Sequence, residues 1–270
     1  MWSPSATRWH VGLSAGKVVR VTLAGAWRQR IGSFDELVCA PGTGEAPWLA
    51  ATVELTRLLQ DDTVRPRSVC IVLSGRFVRW QLLAWHPELA RQEEVAAHAR
   101  LRFAETFGTP ANDWTVLHAA QPPRKAIPAC AVDASLVQQL RAICLSAGTR
   151  LQSVTPYFSG AAQNWHRELA GKTAWLGVIE SDWLTLGLMH QGGWVGLHAQ
   201  RVDRDWAQLL PGMMTQIALA AGMADATWPV YLVGTGDVAP ASVAAAGWTR
   251  LQPAMAMPSG SPGCRMALCL

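Results

Sequence analysis

The sequence predicts an α/β protein of two related lobes, each a mixed sheet flanked by helices. Three observations lead there. Trp9 to Trp27 and Trp175 to Trp194 follow one plan: Trp, an apolar strand, a short polar turn, a second apolar strand, then Gly-x-Trp. Short period-two runs alternate with longer segments of helical periodicity through both halves, the pattern of mixed sheets covered by helices. Half of the 270 residues are hydrophobic and only 16% are charged, which excludes a disordered chain and leaves enough apolar surface for a large core. The repeat places the lobes at 1–154 and 155–270.

The elements follow in order. Val18 to Leu23 alternates, with Val19, Val21 and Leu23 on one side, as a half-buried strand does. A helix after Pro47 turns Trp48, Leu55, Leu58 and Leu59 inward and ends at Asp61-Asp62. Ser68 to Leu73 is a near-continuous apolar strand, and Ser74-Gly75 turns the chain into a strand over Arg76 to Trp85. Pro87 suits the first position of a helix and Gly108 its stop, with Val95, Ala99, Phe103 and Phe107 along one side. Strands over Trp114 to Ala120 and Ile127 to Val132 lead to a helix capped by Asp133 or Ser135 and closed by Gly148. The second half adds a strand at 151–154, a helix at 158–169, strands at 174–180, 183–190 and 193–201, and a helix at 206–223 that Pro211 could restart. A strand at 230–233, a short helix from Pro240 and strands near 248–252 and 264–269 finish the chain, with 253–262 as a surface loop.

Composition narrows the function classes. Net charge is +4, and no basic run exceeds Arg124-Lys125, so a nucleic-acid groove is not expected. Fourteen Trp against two Tyr, with Lys only at 17, 125 and 172, point to a genome-wide bias, so most Trp should be core. The six cysteines form no C-x-x-C pair, so no metal site is expected, and they read as reduced, buried thiols of a cytoplasmic protein. No basic start followed by an apolar run opens the sequence, so no signal peptide is expected. The uncharged run from Trp206 to Ala224 has the length of a short span, but Gln208, Pro211, Thr215 and Gln216 interrupt it. Trp206, Leu209, Leu210, Met213, Met214 and Ile217 recur at helical spacing, which favours a core-facing helix.

The motifs offer little catalysis. Gly12-Leu-Ser-Ala-Gly-Lys17 resembles a phosphate loop but has three residues between its glycines, Val18 where Ser or Thr belongs, and a strand where a helix is needed. It reads as a hairpin turn in which Ser14 and Lys17 are the residues able to touch an anion. Val230 to Asp237 runs a strand into the turn Gly234-Thr-Gly236, where bare backbone N–H groups can approach a ligand. Glu180 and Asp182 straddle a turn, Asp203 and Asp205 precede a helix, and His98, His166, His190 and His198 read as solvated. No Ser lies in a G-x-S-x-G elbow. No catalytic residue is assigned, and the chain is not expected to be an enzyme.

The strand pair from Ser68 to Trp85, the helix from Ala97 to Gly108, and the later Gly193-Trp194, Ala199 to Asp203 and Val230 to Gly236 resemble a known family. It is that of the PilM/GspL-like cytoplasmic proteins of bacterial type IV pilus and type II secretion machines. The resemblance implies an actin/Hsp70-like (RNase H-like) two-lobed fold and an adaptor at the inner face of the inner membrane. It implies binding to the short cytoplasmic tail of a PilN-like membrane partner, membrane association through partners, and a link to the assembly ATPase. ATP-binding relatives carry Asp and Gly/Ser/Thr residues in both hairpin turns. Here those turns read Gly12 to Gly16 and Ile179-Glu-Ser-Asp-Trp183, where Glu180 and Asp182 would repel phosphate. Only Gly234 and Gly236, on the adenosine side, match. The free-standing PilM arrangement fits better than GspL, with its membrane span and periplasmic part. The expectation is therefore a scaffold with a vestigial nucleotide cleft (Ser14, Lys17, Gly234, Gly236), no cofactor and no ATP hydrolysis. Its partner groove should be apolar, with an exposed strand edge or an aromatic pocket. The alternative is a working Mg-ATP-binding protein of the same fold; a third reading is an unrelated α/β enzyme.

Overall fold

Two parallel strand pairs organise the protein. The structure, a computed structural model, describes residues 8–24, 30–40, 44, 46–61, 66–89, 91–203, 205–223, 227–234, 246–253, 255, 257 and 263–270. In the first sheet, β1 (Arg8–Ser14) turns back into β2 (Lys17–Ala24), which pairs antiparallel with β3 (Arg30–Val38). Helix α1 (Leu49–Asp61) carries the chain across, so that β4 (Ser68–Leu73) lies parallel to β1. The fifth strand, β8 (Arg150–Pro156), adds parallel to β4 and gives the order β3-β2-β1-β4-β8. The second sheet repeats this plan. Strands β9 (Ala174–Ile179), β10 (Trp183–His190) and β11 (Gly193–Arg201) form a meander, and helix α6 (Trp206–Ala220) crosses over to β12 (Val230–Gly234), parallel to β9. With the short β13 (Thr249–Arg250) the order is β11-β10-β9-β12-β13. The two hairpins recognised as an echo in the sequence are β1-β2 and β9-β10.

A third, smaller sheet of order β5-β7-β6 comprises β5 (Val78–Leu83), β6 (Trp114–His118) and β7 (Ile127–Asp133). Helix α2 (Gln92–Phe107) covers one face of it, packing Val95, Ala99 and Phe103 on Leu83, Ile127, Ala129 and Ala131. The remaining α-helices among the described residues are α3 (Ala134–Ser146), α4 (Tyr157–Asn164), α5 (His166–Leu169) and α7 (Gly263–Ala267).

Contacts divide the chain into two units, but not at residue 154. Unit 1 takes 1–77, 135–161 and 252–270, and unit 2 takes 78–134 and 162–251. The cut differs from 1–154 and 155–270 for two reasons. The end of the chain returns to the first sheet, where Cys264 and Ala267 pack on Val19 and Val21. The small sheet belongs with the second, where β5 runs beside β11 and the Lys125 ammonium donates to the Gln191 carbonyl at 2.8 Å.

Each core follows from the alternation of its strands. In unit 1, Trp9, Val11 and Leu13 share one face of β1 and are buried, and the Arg20 guanidinium of the neighbouring strand lies 4.4 Å from the Trp9 ring centroid. In unit 2, Trp175 and Ile179 of β9 meet Leu184, Leu186, Leu188 and Leu232 beneath Trp206, Leu210 and Met214 of α6. Burial pushes the Cys130 and Cys144 thiols up to about 11 and Cys269 to about 12, so these sulfurs stay protonated at neutral pH.

Several elements differ from the sequence reading. Strand β3 had no clear signal, because it is an edge strand whose polar residues pair across β2: Arg20 with Asp35, and Thr22 with Ser33 at 2.7 Å. Helix α2 begins at Gln92 rather than Pro87; a turn closes from the Leu89 N–H to the His86 carbonyl, and the Glu94 carboxylate accepts the Arg91 N–H at 2.9 Å. The 158–169 helix is two, separated at Trp165. Residues 264–269 form a helix and its closing turn, not a strand, because Cys264, Ala267 and Leu268 meet one surface at helical spacing. Pro211 sits inside α6 without restarting it. The helix expected from Pro240 and most of the 253–262 loop lie outside the described residues.

His10, on β1, is half-buried, and its pKa is lowered by burial first and by Arg8 second. A histidine depressed in the folded state binds fewer protons there than in the unfolded chain at pH below about 6.5, so stability falls as pH drops through that range. Denaturant titrations at pH 7.5 and 5.5 should show a larger loss of stability in the parent than in His10→Gln.

Candidate functional site

The hairpin turns come first, since the sequence placed Ser14 and Lys17 there. They are direct partners across the β1-β2 turn, and the Ser14 hydroxyl donates to the Lys17 carbonyl at 3.0 Å. The Lys17 ammonium reaches Glu36 of β3 at 2.5 Å. Both anion-binding candidates thus already serve the sheet that carries them. The second turn is acidic. Glu180 is buried, its N–H donates to the Trp183 carbonyl at 2.8 Å, and Asp182 lies 3.9 Å from Arg201.

Gly234 ends β12 opposite Ile179 of β9, with φ at 144°. A Cβ there would fall 1.9 Å from the Ile179 carbonyl oxygen. The close approach of the two parallel strands therefore requires glycine at this position, whatever else the turn does. Gly236 lies outside the described residues. Ser14 and Lys17 belong to unit 1 and Gly234 to unit 2. Among the described residues no group of three His, Cys, Asp or Glu is gathered as a metal would require.

Unit 2 has a cavity of its own, about 410 Å³, between β11, α6 and β5. Its α6 wall is a stripe of Met213, Gln216, Ile217, Ala220 and Ala221, the spacing of a single helix face. Its floor is Val195 to His198 of β11, and Leu82 of β5 closes it. Among the described residues strand β11 pairs only with β10, and β5 only with β7, so two sheet edges border the cavity. Unpaired strand edges offer main-chain donors and acceptors to an added strand. Among the described residues that line it, the polar side chains are Gln216 and His198, and His198 Nε2 is engaged with Gln200 at 3.0 Å.

The apolar lining continues onto the small sheet. Trp80 and Leu117 both face Cys130 in register, so with Leu82 they lie on the face opposite α2. Leu117 is 58% exposed, so this face presents apolar surface to solvent.

Sequence reasoning identified α6 but misassigned part of its surface. Leu209, expected in the core, is exposed, whereas Trp206, Leu210, Met213 and Met214 are buried as expected. The groove residues were not named from sequence, because they come from segments far apart in the chain. The available signal was the second apolar stripe of α6, one step around from the buried one.

No family model matches this chain, and no curated protein matches it either. Solved structures do. The fold is similar to a chain of the PilM–PilN type IV pilus biogenesis complex at 16% identity and a TM-score of 0.66, over 99% of this chain and 98% of that one. It is similar to a Bacteroides thetaiotaomicron protein of actin-like ATPase fold and unknown function at 11% identity and a TM-score of 0.63, over 98% and 96%. It is also similar to the cytoplasmic domain of EpsL, an inner membrane component of the Vibrio cholerae type II secretion system, at 10% identity and a TM-score of 0.58, over 97% and 94%. The fold is therefore the actin-like ATPase fold.

Helix α6 sits tight on β11: a Cβ on Gly196 would fall 2.3 Å from Cγ2 of Ile217, a branched side chain with little room to yield. Gly196→Ala should destabilise the protein by about 1–3 kcal/mol. Ile217→Ala should cost less in that background than alone, which a double-mutant cycle by denaturant titration reads directly.

Proposed function

We propose that this chain is an actin-like scaffold of a type IV pilus or type II secretion assembly platform. It holds the cytoplasmic tail of an inner-membrane partner and does not hydrolyse ATP. The observation that carries this reading is the near-full-length likeness to two structures, one from a pilus biogenesis complex and one from a secretion system component. Such likeness suits a chain that works beneath the inner membrane beside partners that span it. Among the described residues no helix is long and apolar enough to cross a membrane.

The local geometry supports both halves of the proposal. A nucleotide's phosphates need donors with free hydrogens and a favourable field. The first turn has committed its hydroxyl and its ammonium to its own sheet. The second presents carboxylates. Transfer of a phosphoryl group would also need a metal and a positioned water, for which the turns supply no arrangement that stands out from ordinary hairpin chemistry. The cavity beside β11 has the features a short extended tail needs: an apolar trough, two strand edges and little charge.

Calorimetry tests the reading in two titrations. A peptide of the N-terminal tail of the inner-membrane protein encoded beside this gene should bind with micromolar affinity, roughly −8 kcal/mol. Leu82→Asp or Ile217→Asp should weaken it at least tenfold. Mg-ATP should give no saturable heat; micromolar binding of Mg-ATP with no binding of any neighbouring tail would replace the scaffold by a working nucleotide-binding protein.

A further inference from the structure

One end of the first sheet carries a row of arginines that neither the turns nor the groove uses. Strands β3, β1, β4 and β8 all point the same way, and each opens on arginine: Arg30, Arg8, Arg67 immediately before Ser68, and Arg150. The register fixes their alignment, since Arg8 faces Ser68 and Ser68 faces Arg150, while the Arg150 N–H donates to the Arg67 carbonyl at 3.2 Å. Arg30 lies opposite Ala24, at the end of β2 that closes the same side. All four side chains are exposed. Five strands span about 19 Å at the usual inter-strand spacing.

Two neighbours extend the row. Helix α3 ends at this side of the sheet, since Ser146 is followed at once by the turn into Arg150. Its outer face places Arg141 one turn before Leu145, which is 80% exposed. Among the described residues no carboxylate pairs with Arg8, Arg30, Arg67, Arg141 or Arg150. The acidic residues nearest in the chain are Asp35 and Glu36, engaged with Arg20 and Lys17, Asp133 at the start of α3, and Asp61 and Asp62, whose side chains lie outside the described residues.

The fold does not demand this arrangement. The matching strands of the second sheet, β11, β9, β12 and β13, begin with Gly193, Ala174, Val230 and Thr249. Like charges gathered on one edge repel, so unscreened guanidinium groups in a row cost stability unless something anionic meets them.

We propose that this arginine edge of unit 1, with Leu145 beside it, docks directly on an anionic phospholipid surface. Arginines spread along one end of the sheet suit a plane of anionic headgroups, and an exposed leucine beside them can enter the acyl boundary, a contact a nucleic-acid backbone does not reward. The inference is independent of the tail-binding reading, because it concerns other residues and another ligand.

Vesicle co-sedimentation tests it on the whole chain. Vesicles of phosphatidylcholine with one third phosphatidylglycerol should retain the protein, and pure phosphatidylcholine vesicles should not. Binding should fall steeply between 0.05 and 0.5 M salt, concentrations chosen to shrink the Debye length. Each arginine near such a surface is worth about fivefold, so the triple variant Arg30→Glu, Arg67→Glu, Arg150→Glu should lose at least about a hundredfold. Arg167→Glu, an exposed change in unit 2, should bind as the parent does. If the triple glutamate chain does not fold by circular dichroism, the triple glutamine variant removes the same charges and should show a smaller loss of the same sign. Equal binding to both vesicle types, or undiminished binding by a folded triple variant, overturns the proposal. Tighter binding to duplex DNA than to vesicles, lost in the same variants, also overturns it and assigns the edge to nucleic acid.

Discussion

Parallel pairing of each sheet's first strand with the strand that follows its crossover, β1 with β4 and β9 with β12, is the constraint on which the rest depends. Parallel partners need a crossover, and the crossover needs a covering helix. α1 makes that crossing in the first sheet and α6 in the second. Parallel strands also begin together and end together, so each sheet sorts its residues by end. In unit 2 the finishing end gathers the acidic hairpin turn and Gly234 side by side, with Gly234 opposite Ile179. In unit 1 the starting end gathers the arginines.

Helix α6 carries two apolar stripes with different surroundings. Its buried stripe of Trp206, Leu210 and Met214 covers the second sheet, and Trp206 stacks on Trp248 with centroids 6.0 Å apart. The adjacent stripe, from Met213 to Ala221, lies over β11, the edge strand of that sheet, and walls the cavity there. The small sheet completes that wall through Leu82, held in place by the Lys125 contact to the β10-β11 turn. The same physical rule, burial of apolar stripes, makes the core over the centre of the sheet and a trough at its β11 edge.

Legibility from sequence followed local signal strength. Ser68–Leu73 was placed to the residue, because a continuous apolar run between turn residues has few alternatives. The 174–201 meander was placed within a residue at each strand end, since its turns carry Ser, Asp and Gly between Trp- and Leu-rich runs. The helix between its cap and Gly148 was legible too, and its Leu136, Leu140, Ile143 and Cys144 are buried at helical spacing. Strand β3 was missed because its pairing energy lies in cross-strand polar contacts invisible to hydrophobic period. Helix α7 was misread because five residues with alternating apolar character fit strand and helix equally, and only its seat on Val19 and Val21 decides. The cavity combines β5, β11 and α6, and nothing local to any one of them announces the other two.

The central claim is that a duplicated nucleotide-cradle fold works here through protein contacts. Hydrogen–deuterium exchange with the partner's tail and, separately, with Mg-ATP tests it most directly. The account predicts that the tail slows exchange in β11 and β5, with no change at residues 14–17 or 180–183 in either experiment. Slowed exchange at those turns on adding Mg-ATP, with β11 and β5 indifferent to the tail, would contradict it.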